Sequence, residues 1–249
     1  MPEITSKYTS ESGHWYTEDG KPAYAIIGKN GVERNTTLRD ARKMGLKPSV
    51  TTILKEANKP GLQAWIQKQV LMAALTLPMI AGESEDAYIA RIMEDSKQQA
   101  IKAAERGNQV HAWVQQGFED KLTDADGEIY FHVALQEIEK ECGIQKWECE
   151  SSFSTDKYGG KVDLCIPEIV LDIKTKDVPL EGLKTWDDHD MQIGAYREGK
   201  GYPTAKGGIL FISTKDISAK LIWIPEEKLQ RGTTMFNRLV DYWYAKTGL

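Results

Sequence analysis

The chain has 249 residues, 32 Lys and Arg against 37 Asp and Glu, and a formal net charge of −5. With 41% hydrophobic residues, seven Trp and ten Tyr, it is too apolar for a disordered chain, and its length suits a core of ordinary size. No run approaches the ~20 apolar residues of a membrane helix. Residues 1–12 carry neither a signal nor a transit pattern, and Cys142, Cys149 and Cys165 lack CxxC spacing, so a soluble protein of a reducing, cytoplasmic compartment is expected, with no membrane partner.

No repeat, low-complexity tract or linker divides the chain, so a single domain over 1–249 is expected, with a hairpin and helices in 1–145 and a sheet core in 146–249. Trp15-Tyr16 and Tyr24-Ala25-Ile26-Ile27 flank the turn Glu18-Asp19-Gly20-Lys21, which reads as a β-hairpin. Ser49 can cap a short helix through Ala57, and Pro60 suits the first turn of a second helix. Long helical patterns follow over 84–116 and about 128–142, where Gly143 ends the second. The character then changes. Residues 146–154, 160–166 and 169–174 read as successive strands, followed by a helix at about 188–198, strands at 208–213 and 219–224, and a final helix opened by Pro225. Helices first, then a βββαββα run, predict an α/β fold with a mixed sheet flanked by helices.

The densest chemistry lies between residues 150 and 196. Asp172 and Lys174 leave one face of their strand, about 7 Å apart by the strand rise. A two- or four-residue loop centred on Pro167-Glu168 puts Asp163 opposite Asp172 and Lys161 opposite Lys174. Facing carboxylates repel, and their neighbours Val162, Leu164, Val170, Leu171 and Ile173 make the strands read as buried. A divalent cation such as Mg²⁺ or Mn²⁺ turns that liability into a binding site.

Gly160-x-x-Asp163, Asp172-Ile173-Lys174 and Gln192-x-x-x-Tyr196, with Gly107-x-x-x-His111 upstream, resemble the motif set of the PD-(D/E)XK nuclease superfamily, and within it the RecB-like exonuclease branch. Pro48-Ser49-Val50-Thr51-Thr52-Ile53-Leu54 and Lys59-Pro60-Gly61-Leu62-x-x-Trp65 are similar to segments of phage-encoded exonucleases and of the mitochondrial genome maintenance exonuclease. The matches span residues 48–196. Val162 stands where this branch commonly has Pro. The four cysteines that hold an iron–sulfur cluster in some relatives are absent, as is a Walker A sequence, so any helicase or annealing activity falls to a separate partner.

The resemblance implies a restriction-endonuclease-like fold and a Mg²⁺- or Mn²⁺-dependent deoxyribonuclease. Its expected activity is exonucleolytic, on DNA ends or single strands, with 5′-phosphate products and a role in DNA repair or recombination. It makes Asp163, Asp172, the Ile173 carbonyl and His111 the metal ligands and Lys174 the residue that orients water and offsets phosphate charge. Gln192 and Tyr196, on one helical face, would line the nucleic-acid path. Glu150 is a candidate extra carboxylate, and Arg106 and Lys161 are candidate phosphate contacts. Asp187-Asp188-His189-Asp190 reads as the cap and acidic first turn of the Gln192 helix rather than a second metal site, and His14 and His132 read as structural.

The net charge alone argues against a nucleic-acid partner. Residues 29–68, however, carry +6, leaving −11 for the rest, and with Trp65 this segment could guide a strand by charge and stacking. The competing expectations are a structure-specific endonuclease of the same fold, an inactive DNA-binding accessory subunit, and a metal-binding protein unrelated to DNA.

Overall fold

The computed structural model describes residues 13–249 and the backbone of Ile4–Thr5. Its N-terminal half begins with β1 (Ile4–Thr5), β2 (Trp15–Tyr16), β3 (Ala25–Ile27), β4 (Glu33–Asn35), α1 (Leu38–Met44), β5 (Lys47–Pro48) and α2 (Val50–Leu54). Three helices then follow, α3 (Pro60–Thr76), α4 (Glu85–Phe118) and α5 (Ala125–Cys142). Ser84 and Asp124 cap α4 and α5 by accepting from Ala87 N–H and Gly127 N–H, and Ser49 caps α2 through Thr52 N–H.

The predicted hairpin is partly rearranged. Its turn closes through Gly20 N–H to Thr17 O, and Tyr16 bridges Pro22. Beyond it, β2 pairs with β5, whereas β3 pairs with β1 and β4. The reason is a second tight turn, in which Gly31 N–H donates to Gly28 O, so β3 folds back on its own successor. Helix α1, unforeseen in the sequence, follows from a capping box: Thr37 accepts from Asp40 N–H while the Asp40 carboxylate accepts from Thr37 N–H.

The C-terminal half is a five-stranded mixed sheet, ordered β10-β9-β8-β7-β6, of β6 (Glu148–Ser154), β7 (Gly159–Ile166), β8 (Ile169–Lys176), β9 (Lys206–Ser213) and β10 (Ser218–Ile224). Only β8 and β9 run parallel, and α6 (Asp187–Lys200) makes the crossover between them. Helix α7 (Glu226–Thr247) packs against α6. The fold is thus α/β, a mixed sheet with helices on both faces and a helical N-terminal half.

Alternation along β9 shows how the layers divide. Ile209 and Phe211 join the cluster under α6 and α7, while Leu210 and Ile212 join Val110, Trp113, Tyr130 and Ile138 of α4 and α5. By the same rule Asp172 and Lys174 face α6. No helix among the described residues is long and apolar enough to cross a membrane.

Candidate functional site

β7 and β8 pair as Ile166↔Ile169, Cys165↔Val170 and Leu164↔Leu171, joined by the two-residue loop Pro167-Glu168. The next rung, Asp163 with Asp172, does not form. The Asp163 carboxylate instead accepts from Ile173 N–H at 2.6 Å, taking a donor that a continued ladder would have used. Val162 joins the α6-side cluster although Leu164 joins the opposite one, so β7 turns over as it parts from β8. The expected pairing of Lys161 with Lys174 is lost for the same reason, and Lys161 pairs with Ser152 of β6.

Helices from both layers enter the gap. From α4, His111 Nδ1 lies 3.7 Å from Asp163 Oδ2, and the imidazole makes a backbone hydrogen bond at Ile173. Gly107, one turn earlier, lets α4 approach: a Cβ there would lie 2.9 Å from Thr175 Oγ1 of β8. From α6, Gln192 Nε2 donates to Asp172 Oδ1 at 2.7 Å and to Tyr196 OH at 2.9 Å. Tyr196 in turn packs edge-on against Phe153. Gly160 is required here, because a Cβ would meet the Phe153 ring at 2.7 Å and Tyr196 at 3.2 Å.

Asp172 is 2% exposed. Its Oδ2 sits 2.6 Å from Lys174 Nζ, a close and buried ion pair. On the far side of β7, the flanking pairs Cys149↔Leu164 and Ser151↔Val162 set Glu150 across from Asp163. Glu150 holds a left-handed φ of 50°, uncommon for a non-glycine residue and costly within a strand. Its carboxylate is bound to the Lys161 ammonium.

Three carboxylates therefore stand on three neighbouring strands, with Lys161 on Glu150 and Lys174 on Asp172. Asp163, in the middle, is pushed well above the usual carboxylate range, chiefly by burial and then by Asp172 and Glu150; Lys174 and the Ile173 N–H oppose this. Burial would lower Lys174, but Asp172 and Asp163 outweigh it and hold its ammonium form firmly. Burial, aided by Lys174, lowers His111 to about 4, which leaves a neutral imidazole at pH 7. Burial and the aspartates push Tyr196 well above its ordinary value, so it remains a phenol.

The donor types of two carboxylates, a neutral imidazole and the Ile173 carbonyl suit Mg²⁺ or Mn²⁺, and the buried, charge-crowded Asp163 carboxyl fits the same reading. Among the described residues, however, no three His, Cys, Asp or Glu side chains yet converge as a metal cluster. Asp163 is engaged by Ile173 N–H, and Asp172 by Gln192 and Lys174.

Other expected residues lie elsewhere. The Arg106 guanidinium is set over the rings of Trp113 (5.2 Å) and Tyr130 (5.1 Å) and donates to Tyr130 OH at 3.1 Å, which commits it to the α4–α5 seam. Trp65 is 37% exposed on α3. The basic segment is dispersed: Arg34 forks onto Asp40 (2.7 and 2.9 Å), and Arg42 reaches Thr247 O at the end of α7. Lys59, 3.5 Å from Asp188, reaches the start of α6.

The cap of α6 is Trp186, not Asp187: the His189 ring, in the first turn, accepts from Trp186 N–H at 3.1 Å and so satisfies the cap residue's own backbone donor. The acidic first turn of Asp187 and Asp188 stands as expected. His14 stacks on Tyr24 with ring centres 4.8 Å apart, and His132 contacts Gln136. Trp186, His189 and the Lys59–Asp188 pair were not foreseen, since only the fold of the β8–α6 connection brings them beside the site.

No protein-family profile matches the chain, and no curated protein matches it. Among solved structures it is similar over 54% of its length to 67% of a provisionally assigned exonuclease from Eubacterium rectale, at 14% identity and a TM-score of 0.37. It is also similar over 45% of its length to 58% of the protein SSO0001, at 23% identity and a TM-score of 0.27. Likenesses at these scores carry no argument about chemistry, which rests on the geometry above.

Proposed function

We propose that the chain is a divalent-metal-dependent deoxyribonuclease that hydrolyses phosphodiester bonds as an exonuclease, acting on single-stranded DNA or DNA ends and leaving 5′-phosphates. One observation carries the reading: two electrostatically coupled aspartates, Asp163 and Asp172, are buried where β7 and β8 part, with Lys174 on Asp172 and the Gln192–Tyr196 pair on its other oxygen. A buried pair of carboxylates is costly unless a cation compensates it.

Asp163, Asp172, His111 and the Ile173 carbonyl are the groups that would hold Mg²⁺ or Mn²⁺. Such an ion supplies Lewis-acid stabilisation of charge on the phosphate and of the attacking and leaving oxygens. Lys174, kept protonated by the aspartates, donates to a phosphate oxygen and orients water. Gln192 orients Asp172 through its Oδ1, and Tyr196 accepts from the same amide.

The test is cleavage of end-labelled linear and circular DNA, single- and double-stranded, with Mg²⁺, Mn²⁺ or EDTA. The expected result is metal-dependent release of nucleotides from linear single strands, lost in Asp172→Ala. Cutting of circles would replace the exonuclease by an endonuclease. Cutting that survives EDTA or Asp172→Ala would overturn the mechanism, and binding without cutting of any substrate would favour an accessory subunit.

A further inference from the structure

The β8–α6 connection, residues 177–186, carries groups beside the site that the cleavage chemistry does not use. Lys176 stands two residues beyond Lys174 on β8, so the two side chains leave the same face about 7 Å apart. That interval suits neighbouring phosphates of one nucleic-acid strand. Lys174 is tied to Asp172, whereas no ion pair with a carboxylate engages Lys176 among the described residues. Its Nζ lies 5.9 Å from the centre of the Phe211 ring, and that ring meets His189 at 5.7 Å.

His189 accepts from Trp186 N–H, which fixes the backbone from which the indole projects. Trp186 is 62% exposed. A lone exposed aromatic needs no explanation. An indole on a backbone fixed by a hydrogen bond, linked through His189 and Phe211 to a lysine one phosphate beyond the proposed reaction centre, is a different object. Lys176 and Trp186 combine a charge for the backbone with a flat apolar face for a base, the pairing that single-strand binding uses.

We propose that Lys176 and Trp186 form a nucleotide subsite beside the cleavage centre, which takes the phosphate next to the one at Lys174 and stacks an unpaired base on the indole. This rests on the nuclease reading above and deepens it. Bases within a duplex already stack on their neighbours, so the subsite selects single strands or frayed ends.

Binding to a labelled oligothymidine and to a labelled, covalently closed circular duplex, measured by anisotropy in EDTA across a salt series, tests it. Trp186→Ala is expected to weaken oligothymidine binding roughly tenfold or more and leave binding to the closed duplex unchanged, with Trp186→Phe recovering most of the loss. Lys176→Ala is expected to reduce the slope of log K against log salt for oligothymidine by about 0.7, and Lys176→Arg to restore it. Unchanged oligothymidine affinity in Trp186→Ala, an equal loss on the closed duplex, or an unchanged salt slope in Lys176→Ala overturns the subsite. If the wild-type chain cuts DNA and the variants bind as it does, only the subsite falls. If the wild-type chain neither binds nor cuts DNA, the nuclease reading falls and takes the subsite with it.

Discussion

Gln192→Leu removes the one side-chain amide that serves both Asp172 and Tyr196 while keeping most of the volume in a buried helix face. In the wild type, Gln192 Nε2 donates to Asp172 Oδ1 at 2.7 Å, and that carboxylate is 2% exposed, so water cannot replace the lost donor. A hydrogen bond to a buried ionised group contributes about 1.5–3 kcal/mol. The variant should therefore lose about 2 kcal/mol in urea unfolding, which for a chain of this size is about 4–8 °C in Tm. The informative measurement is a double-mutant cycle with Asp172→Asn, where the acceptor is neutral and the bond falls to about 1 kcal/mol. A coupling of about 1 kcal/mol between the two positions is expected. Equal costs of Gln192→Leu in both backgrounds would refute the reasoning, since the loss would then come from packing and not from the charge on Asp172.

Asp163→Asn should abolish metal-dependent cleavage yet stabilise the chain in EDTA by about 1 kcal/mol, or about 2–4 °C, because it removes a buried charge and leaves an oxygen to accept from Ile173 N–H; a lower Tm in differential scanning fluorimetry would count against this. His189 is lowered to about 4 by burial, so the unfolded chain takes up its proton first as pH falls from about 6.5 to about 4, and stability drops by about 1.4 kcal/mol per pH unit for this group. Urea midpoints between pH 7 and pH 5 should flatten in His189→Gln relative to the wild type, and parallel curves would exclude the claim. Gly160→Ala puts a methyl 2.7 Å from the Phe153 ring and should cost about 1–3 kcal/mol in urea unfolding; a neutral result would mean that β7 has room to move there.

Periodicity made the second half of the chain readable. Strands and helices from 148 onward fall within a few residues of their sequence-based positions, because each alternates or caps in a way that local chemistry decides. The register through Leu164↔Leu171 also followed from Pro167-Glu168. What failed was extrapolation of that ladder by one rung, since a side-chain carboxylate competing for the Ile173 N–H leaves no mark in a strand pattern. The N-terminal strands misled for a related reason: two or three residues each, with two glycine turns in succession, they have partners set by tertiary packing. Arg106 had the right charge near the right histidine, but two aromatic rings on α4 and α5 compete for it, and only the helix packing reveals them.

The site's polarity follows from an uneven count across three strands. Glu150, Asp163 and Asp172 stand on three successive strands of the sheet, with Lys161 on the first and Lys174 on the last. Among the described residues the middle carboxylate has the Ile173 N–H and a neutral imidazole 3.7 Å away but no lysine ion pair, so burial and repulsion fall on Asp163. This predicts opposite signs for two aspartates that the sequence presents as equals. Neutralising Asp172 strips an ion pair and destabilises the chain, whereas neutralising Asp163 relieves the conflict. An acid with a raised pKa keeps its proton in the folded state at pH values where the unfolded chain has released it. Stability in EDTA should therefore fall as pH climbs from about 4 through the raised value of Asp163. A bound cation reverses that dependence by stabilising the ionised form, and so binds more tightly as pH rises. Both slopes are absent in Asp163→Asn if Asp163 is their source, and their persistence there would move the charge conflict to another group.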